Sequence, residues 1–336
     1  MKAAIFKALR APLVIEDRPD PTPAPTEVLI KIGRCGICGS DLHAADDPAF
    51  HVPQGAVLGH EYAGEIIDLG RDVEGLCKGD RVAVMPLHGC GKCANCLAGD
   101  PAWCSKFRLD GGGYAQFSVA EPQQCVRLPK TVSFEDGALV EPLSVALHAV
   151  NLAGIQSGSR VLVLGAGPIG LGVIFWARHL GASKVAVADL TRQLEETARV
   201  MGADFFLTKT DDLDDRIVSA LGGRPDVVFE CVGKPGLIVQ SIGHVRPRGK
   251  VVLVGLCTVP EAINPFDLVQ KEVVIQPSAF FNAREFEMGI DTFEAGHVQP
   301  HAMITDTVAL TAMSPAFEAL KHRTTQCKVL VDPWSN

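Results

Sequence analysis

Four cysteines lie within fifteen residues of this chain, and three of them recur at every third position in the run CGKCANC. They are Cys90, Cys93, Cys96 and Cys104. Thiolates at this spacing can surround one tetrahedral ion and leave no position open for a substrate, which is typical of structural zinc. Such an ion would hold the shape of the polar loop 88–106, and its binding energy would contribute to folding. The motif therefore predicts a structural zinc site, and four free thiols are the alternative.

A second set of metal-binding residue types is scattered along the chain. It comprises Cys38 in CGICGSD, His60 and Glu61 in LGHEYAG, and Glu141 in LVEPLSV. Catalytic zinc usually takes three protein ligands of mixed type and keeps one position open, which Cys38, His60 and one glutamate would satisfy. No spacing rule joins positions so far apart. The residues alone therefore also allow a buried thiol, a hydrogen-bonded histidine and a helix-start carboxylate ahead of Pro142.

The run GAGPIG follows an apolar strand and opens a helix, as the phosphate-binding turn of a dinucleotide site does. Its expected cofactor contacts are Gly165, Gly167, Pro168, Ile169 and Gly170. Asp189 closes the next strand, KVAVAD, at the position where a carboxylate binds the adenosine ribose, which favours NAD over NADP. Arg192 lies nearby and keeps NADP as an alternative. Leu190, Val232 and Gly255 are further expected contacts with the cofactor.

The elements that must position these residues change character along the chain. Residues 1–148 are rich in short β-like runs such as VLIKI and DRVAV, with long loops between them. Residues 149–279 alternate apolar strands with helices, which predicts a parallel sheet covered on both faces. Residues 280–336 add two helical segments and a last strand, KVLVD. The fold class is therefore α/β, a doubly wound parallel Rossmann sheet joined to a β-rich domain.

The composition limits the partners. The chain has 336 residues and a formal net charge of −8, which disfavours nucleic acid and anionic membranes. The start of the chain does not resemble a signal peptide, and eleven cysteines without secretion signals favour a reducing, cytoplasmic setting. Five scattered cysteines are expected to be small core residues: Cys77, Cys125, Cys231, Cys257 and Cys327.

The motifs together resemble a known superfamily. CGICGSD, GHE, the four-cysteine lobe, GAGPIG and VEPLSV occur in the same order as in zinc-dependent medium-chain dehydrogenases, over nearly the whole length. VEPLSVALHA with Asp189 is most similar to the polyol branch, the sorbitol and galactitol-phosphate dehydrogenases, with threonine and butanediol dehydrogenases as near relatives. The resemblance implies a GroES-like catalytic domain in 1–148, an NAD-binding domain in 149–279, and a segment 280–336 that returns to the catalytic domain.

The resemblance also implies a second, catalytic zinc on Cys38 and His60, so that each chain would hold two zinc ions. Glu61 and Glu141 would lie near this metal, either as a ligand or through its water, and which of them ligates stays open. The reaction implied is reversible oxidation of a secondary alcohol to a ketone, with hydride transfer to NAD.

Two residues of CGSDLH are expected to act on the substrate proton. By resemblance, Ser40 and His43 relay it outward from the metal. The same relatives imply a homo-oligomer, a tetramer in preference to a dimer. A zinc-independent quinone or enoyl reductase of the same superfamily is the alternative, although such proteins usually lack both cysteine sets.

Two departures from the polyol dehydrogenases bear on the substrate. The stretch CSKFRLDGGGY is shorter than in those relatives, and Phe280 and Phe281 stand where sorbitol dehydrogenases carry a substrate-binding arginine. We therefore expect a less polar end to the substrate.

Overall fold

The computed structural model describes residues 1–322 and 325–335. In chain order the strands are β1 Lys2–Ile5, β2 Val14–Asp17, β3 Val28–Gly36, β4 Glu61–Leu69, β5 Arg81–Val84, β6 Leu87–His88, β7 Arg108–Leu109, β8 Phe117–Ala120, β9 Cys125–Arg127, β10 Arg160–Leu164, β11 Lys184–Asp189, β12 Phe205–Thr208, β13 Val227–Glu230, β14 Lys250–Leu253, β15 Val274–Pro277, β16 Ile304–Ala309 and β17 Lys328–Asp332. The helices are α1 Gly39–Asp46, α2 Ala94–Leu97, α3 Phe134–Ala153, α4 Pro168–His179, α5 Glu195–Val200, α6 Leu213–Leu221, α7 Leu237–His244, α8 Pro265–Lys271, α9 Ala283–Glu294 and α10 Met313–Leu320.

The first compact unit is built from Met1–Glu141, Asn282–Val298 and the described residues of Ile304–Asn336. Its main sheet has the order β16-β17-β3-β4-β5-β9, and β8 also pairs with β3. Alternation along β3 explains its place: Ile30 and Ile32 are buried in the core while Lys31 between them is exposed. This sheet therefore has one face on an apolar core.

The second unit is built from Pro142–Phe281 and Gln299–Met303. Its six strands are all parallel, in the order β12-β11-β10-β13-β14-β15. Strands β10 and β11 are apolar and buried almost throughout because helices cover a parallel sheet on both faces. Trp176 of α4 is 1% exposed, and its indole N–H donates to the Leu143 carbonyl oxygen at 2.9 Å. The predicted α/β class with a doubly wound Rossmann sheet is confirmed.

The structure differs from what the sequence indicated at three places. Helix α3 begins eight residues before Pro142, so Glu141 is not at a helix start. The true start carries its own signal, because the Asp136 N–H donates to the Ser133 hydroxyl oxygen at 3.0 Å while the Asp136 carboxylate accepts from the Ser133 N–H at 2.7 Å. Strand β16 was not foreseen at all. Finally, Cys77 and Cys257 are exposed, and Cys231 is only half-buried as a residue, so of the five scattered cysteines only Cys125 and Cys327 are fully in the core.

Candidate active site and metal centres

The four clustered cysteines converge on one point. The sulfurs of Cys90, Cys93, Cys96 and Cys104 all lie within 4.8 Å of one another. A tetrahedral Zn²⁺ with Zn–S bonds of about 2.3 Å needs sulfurs ~3.8 Å apart, so small side-chain shifts close the site. An all-sulfur set of four fits zinc and leaves no room for a substrate.

Short elements hold this cysteine lobe, which we define as residues 88–106. The pair β6 and β7 forms its base, and Cys93 caps the N-terminus of α2. A Cβ atom on Gly89 would lie 2.5 Å from the Cys96 sulfur, so the backbone there must be glycine for the sulfurs to close in. Trp103, in the turn before Cys104, is 59% exposed.

Backbone N–H groups prepare two of the sulfurs for a cation. The N–H groups of Lys92 and Cys93 lower the pKa of Cys90 to about 6. Those of Cys90 and Lys106 lie 3.3 Å from the Cys104 sulfur and lower its pKa as well. Thiolates are the form that binds metal, so the lobe favours the metal-binding state of these two cysteines.

A second cluster joins Cys38, His60 and Glu61, whose ligand atoms also lie within 4.8 Å of one another. Cys38 follows β3 and occupies the cap position of α1, where the helix N-terminus favours a negative sulfur. His60 and Glu61 lie at the start of β4, which is the neighbour of β3 in the sheet. One thiol, one imidazole and one carboxylate are donors of the mixed type found at catalytic zinc.

The imidazole of His60 is held at both nitrogens. Its Nδ1 lies 3.3 Å from the Asp41 carboxylate, and its Nε2 lies 3.4 Å from the Ser40 hydroxyl oxygen, which in turn donates to the Cys38 sulfur at 3.2 Å. Since Asp41 occupies Nδ1, Nε2 is the nitrogen available to a metal. Burial opposes protonation of His60, but Asp41 and Cys38 outweigh it and raise its pKa well above the ordinary value.

Sequence reasoning did not select Asp41 or Lys328. Asp41 follows Ser40 in CGSD. It could have been selected because a metal-binding histidine usually donates its second ring N–H to a carboxylate. Lys328 opens the apolar strand β17, and its Nζ lies 2.7 and 2.6 Å from the two Glu61 oxygens with both side chains buried. Burial opposes the charge on Lys328, but Glu61 outweighs it and raises the pKa of the lysine. Glu61 therefore serves an ion pair as well as the cluster.

The other predicted residues of this region lie outside the group of three. Glu141 lies in α3 and is 7% exposed, and burial raises its pKa to about 7. Its carboxylate is close enough to His60 and Glu61 for their charges to affect it. His43 lies on α1, three residues after Ser40, with its side chain exposed.

The glycine-rich turn has the backbone form that a pyrophosphate needs. Gly165 has φ +97°, and a Cβ atom there would lie 2.7 Å from the Val232 side chain. A Cβ on Gly170 would lie 1.9 Å from the Gly165 carbonyl oxygen, so the helix can approach the strand only with glycine. Gly167 caps α4 and Pro168 takes its first position, which leaves the helix N-terminus open to an anion.

Asp189 and Arg192 lie beside this turn with different partners. The Asp189 carboxylate accepts from the Ala166 N–H at 2.7 Å and from the Leu190 N–H at 2.6 Å. Arg192 donates twice to Glu195, at 2.7 and 2.8 Å. A carboxylate thus faces the turn, while the guanidinium is already neutralised.

A buried glutamate organises the remaining predicted contacts. Glu230 ends β13, is 3% exposed, and accepts from the N–H groups of Val232 and Gly233 at 2.7 and 2.9 Å. Its carbonyl oxygen accepts from the Gly255 N–H at 2.8 Å. Glu230 therefore brings Val232 and Gly255 together. The sequence analysis did not select Glu230, although an acidic residue at the end of an apolar strand could have indicated it. Ile169 is half-buried at the start of α4.

Within residues 1–322 and 325–335, no other group of three or more histidine, cysteine or acidic side chains comes together in this way. In the same residues no helix combines the length and the apolar character that a bilayer crossing requires.

Two family models match the chain. The alcohol dehydrogenase GroES-like domain matches residues 24–130, and the zinc-binding dehydrogenase model matches residues 168–295. Sorbitol dehydrogenase of Gallus gallus is 34% identical over 323 residues, which cover 92% of this chain and 90% of the relative.

Solved structures agree with these matches. The 2R,3R-butanediol dehydrogenase of Bacillus subtilis superposes with a TM-score of 0.88 at 30% identity and 99% coverage of both chains. An alcohol dehydrogenase of E. coli CFT073 in complex with NADH has a TM-score of 0.90 at 28% identity and 99% coverage of both chains. A zinc-binding dehydrogenase of Sinorhizobium meliloti 1021 bound to NADP has a TM-score of 0.89 at 29% identity, also with 99% coverage of both. With its motifs, its two-unit fold and these matches, the chain belongs to the zinc-binding dehydrogenases of the medium-chain superfamily, in their polyol branch.

Proposed function

We propose that this protein reversibly oxidises a secondary alcohol of a polyol or diol to a ketone and transfers the hydride to NAD. The observation that carries the proposal is the convergence of Cys38, His60 and Glu61, with ligand atoms within 4.8 Å, apart from the closed four-cysteine set. A metal with an incomplete set of protein ligands can accept a substrate oxygen, whereas the lobe cannot. The lobe would hold the second zinc ion and act on folding alone.

Zinc bound at the mixed cluster supplies Lewis-acid chemistry that favours the ionised form of an alcohol. The residues of this chain then handle the proton. Ser40 lies against two of the three cluster side chains, at 3.2 Å from the Cys38 sulfur and 3.4 Å from His60 Nε2. Its hydroxyl is therefore placed to accept the alcohol proton while it passes its own proton on toward His43. His43 is three residues further on the same helix, on a neighbouring position of its surface, and is exposed to water. We propose that the proton leaves by this route.

The metal ligand set has one open choice, between Glu61 and Glu141. Glu61 belongs to the cluster, but Lys328 binds both of its oxygens. Glu141 is buried close by, and its burial raises its pKa to about 7. We propose that either acid completes the site, and that Lys328 decides how readily Glu61 does so.

The substrate class rests on the relatives, which are sorbitol and butanediol dehydrogenases. Among the two phenylalanines that replace an arginine of sorbitol dehydrogenases, Phe281 is 3% exposed and packs in the core. Phe280 is half-buried. On the replacement of the arginine by phenylalanine, we propose a diol or a polyol with one less polar end. An L-threonine dehydrogenase-like activity is tested in the same substrate panel.

We propose NAD as the cofactor in preference to NADP. The Asp189 carboxylate at the turn would repel a 2′-phosphate, and Arg192 is occupied by Glu195. Asp189→Ala should shift the ratio of kcat/KM values toward NADP, and an unchanged ratio would place the ribose contact elsewhere.

The division of labour follows from these sites. We propose that residues 1–148 and 280–336 act as the catalytic domain and residues 149–279 as the NAD-binding domain. We also propose a homotetramer, on the resemblance to polyol dehydrogenases. We propose a cytoplasmic location because none of the eleven cysteines forms a disulfide. Light scattering on the purified protein distinguishes the tetramer from a dimer.

One experiment tests the main proposal. The purified protein is assayed for zinc and is then given NAD with a panel of polyols, their phosphates, vicinal diols and threonine, while NADH absorbance is followed. We expect two zinc ions per chain and turnover of a polyol or diol. One zinc ion per chain without alcohol oxidation would instead support a zinc-independent reductase.

A further inference from the structure

The chain has only two tyrosines, and one of them is bonded to the side chain that holds His60. The Tyr114 hydroxyl lies 2.5 Å from Asp41 Oδ2, and Asp41 Oδ1 lies 3.3 Å from His60 Nδ1. Tyrosine, aspartate and histidine therefore form a line of three side chains that ends at the mixed cluster. All three are buried, with exposures of 0%, 4% and 5%.

Backbone contacts fix Tyr114 against the segment that leads to His60. The Tyr114 N–H donates to the Leu58 carbonyl oxygen at 3.0 Å, and the Gly113 N–H donates to the Gly59 carbonyl oxygen at 2.9 Å. A Cβ atom on Gly59 would lie 2.5 Å from the Tyr114 ring, and Gly59 has φ +86°. The ring thus occupies the space that a side chain at position 59 would need, directly before the histidine.

We propose that Tyr114 is a positioning residue for the catalytic metal, acting through Asp41 on His60. The inference rests on the proposed zinc site at Cys38 and His60. A carboxylate that accepts from Nδ1–H fixes the tautomer and the ring orientation of a metal-binding histidine. Tyr114 donates to the other oxygen of that carboxylate, so it holds Asp41 in place and satisfies a buried acceptor that water cannot reach. Without the hydroxyl, Asp41 loses a donor and His60 loses its fixed orientation.

The second tyrosine is a matched control. Tyr62 is 3% exposed and lies two residues after His60, on strand β4. Its hydroxyl lies 3.2 Å from the Ser118 hydroxyl and takes no part in the line from Asp41 to His60. Replacing either tyrosine by phenylalanine removes one buried hydroxyl from the same unit, but only one replacement touches the metal cluster.

The test compares zinc binding by the full chain, Tyr114→Phe and Tyr62→Phe. Zinc per chain is measured during competition with a chelator, and thermal unfolding shows that each variant is folded. Tyr114→Phe should lower the affinity for one of the two zinc ions by about 10- to 100-fold and leave the affinity for the other unchanged. Tyr62→Phe should leave the affinity for both zinc ions unchanged. Unchanged zinc affinity in Tyr114→Phe, or equal weakening in both variants, overturns the proposal.

A second comparison separates action through Asp41 from a general loss of packing. Asp41→Asn should lower the affinity for the same zinc ion. The double variant with Tyr114→Phe should bind that ion about as weakly as Asp41→Asn alone. Full additivity of the two changes contradicts the proposed line. Wild-type protein that retains only the lobe zinc refutes the catalytic site and this inference together. Two zinc ions with an unaffected Tyr114→Phe refute only the role of Tyr114.

Discussion

The cysteine lobe and the mixed cluster both bring together side chains of the types that bind metals, but they are assembled in opposite ways. The lobe takes its four sulfurs from residues 90–104, between the two very short strands β6 and β7. The mixed cluster joins Cys38 to His60 and Glu61, and its supporting Lys328 is 267 residues from Glu61 along the chain. The lobe is formed by residues close together in the sequence, while the mixed cluster depends on the packed core of a whole unit. A site that folds locally can hold a shape, but an open site needs a rigid surrounding to keep a ligand position free.

The largest expected difference between the two sites concerns turnover. Cys38→Ser should lower kcat by at least about 10³-fold, because Lewis-acid stabilisation at zinc contributes several kcal/mol to the transition state. Zinc should fall from two ions to one per chain. Cys77→Ser changes an exposed cysteine outside both clusters and serves as the control. Undiminished turnover in Cys38→Ser would refute the division of roles between the sites.

The dependence of the mixed cluster on the core can be tested at Lys328. Lys328→Met leaves the Glu61 carboxylate buried without its partner, which should lower the free energy of unfolding by about 3–5 kcal/mol. Urea unfolding measures the change. Arg248→Met breaks an ion pair with Glu272 that is 77% and 64% exposed, and it should leave the midpoint unchanged. Similar results for the two variants would mean that the buried pair does not hold the cluster.

The lobe should show the reverse pattern. Cys96→Ser removes one of four sulfur ligands, so the lobe zinc should be lost and the melting temperature should fall by about 5 °C, the shift that a loss of about 2 kcal/mol produces. The kcat of the folded fraction should stay near the wild-type value. A large fall in kcat with an unchanged melting temperature would give the lobe a chemical role that four sulfurs do not predict.

The smallest effect is one of timing. A chelator should take the zinc ion at the mixed cluster first, because an open ligand position gives it access, while four thiolates enclose the other ion. Activity should therefore fall before the melting temperature does, and added zinc should restore it. Simultaneous loss of both would show that the sites are not independent.

The same contrast explains how much the sequence predicts. The lobe and the glycine-rich turn are local patterns, so spacing alone indicated their residues. The alternation of strands and helices indicated the doubly wound parallel sheet, which was confirmed. Asp41 and Lys328 belong to long-range packing, which no spacing encodes. Pro142 was misleading because proline is common at helix starts, yet here the start is at Ser133 and Asp136. Strand β16 was missed because none of its residues is fully buried and they lack a strong apolar pattern.

The tryptophans give the two regions separate optical reporters. Trp103 is 59% exposed in the lobe, whereas Trp176 is 1% exposed and donates to Leu143 of α3 in the second unit. Trp103 should emit at a longer wavelength than Trp176, and a water-soluble quencher should reduce the emission of Trp103 but not that of Trp176. With Trp334 replaced by phenylalanine, one fluorescence trace would record the opening of the lobe and the melting of the Rossmann core as distinct events.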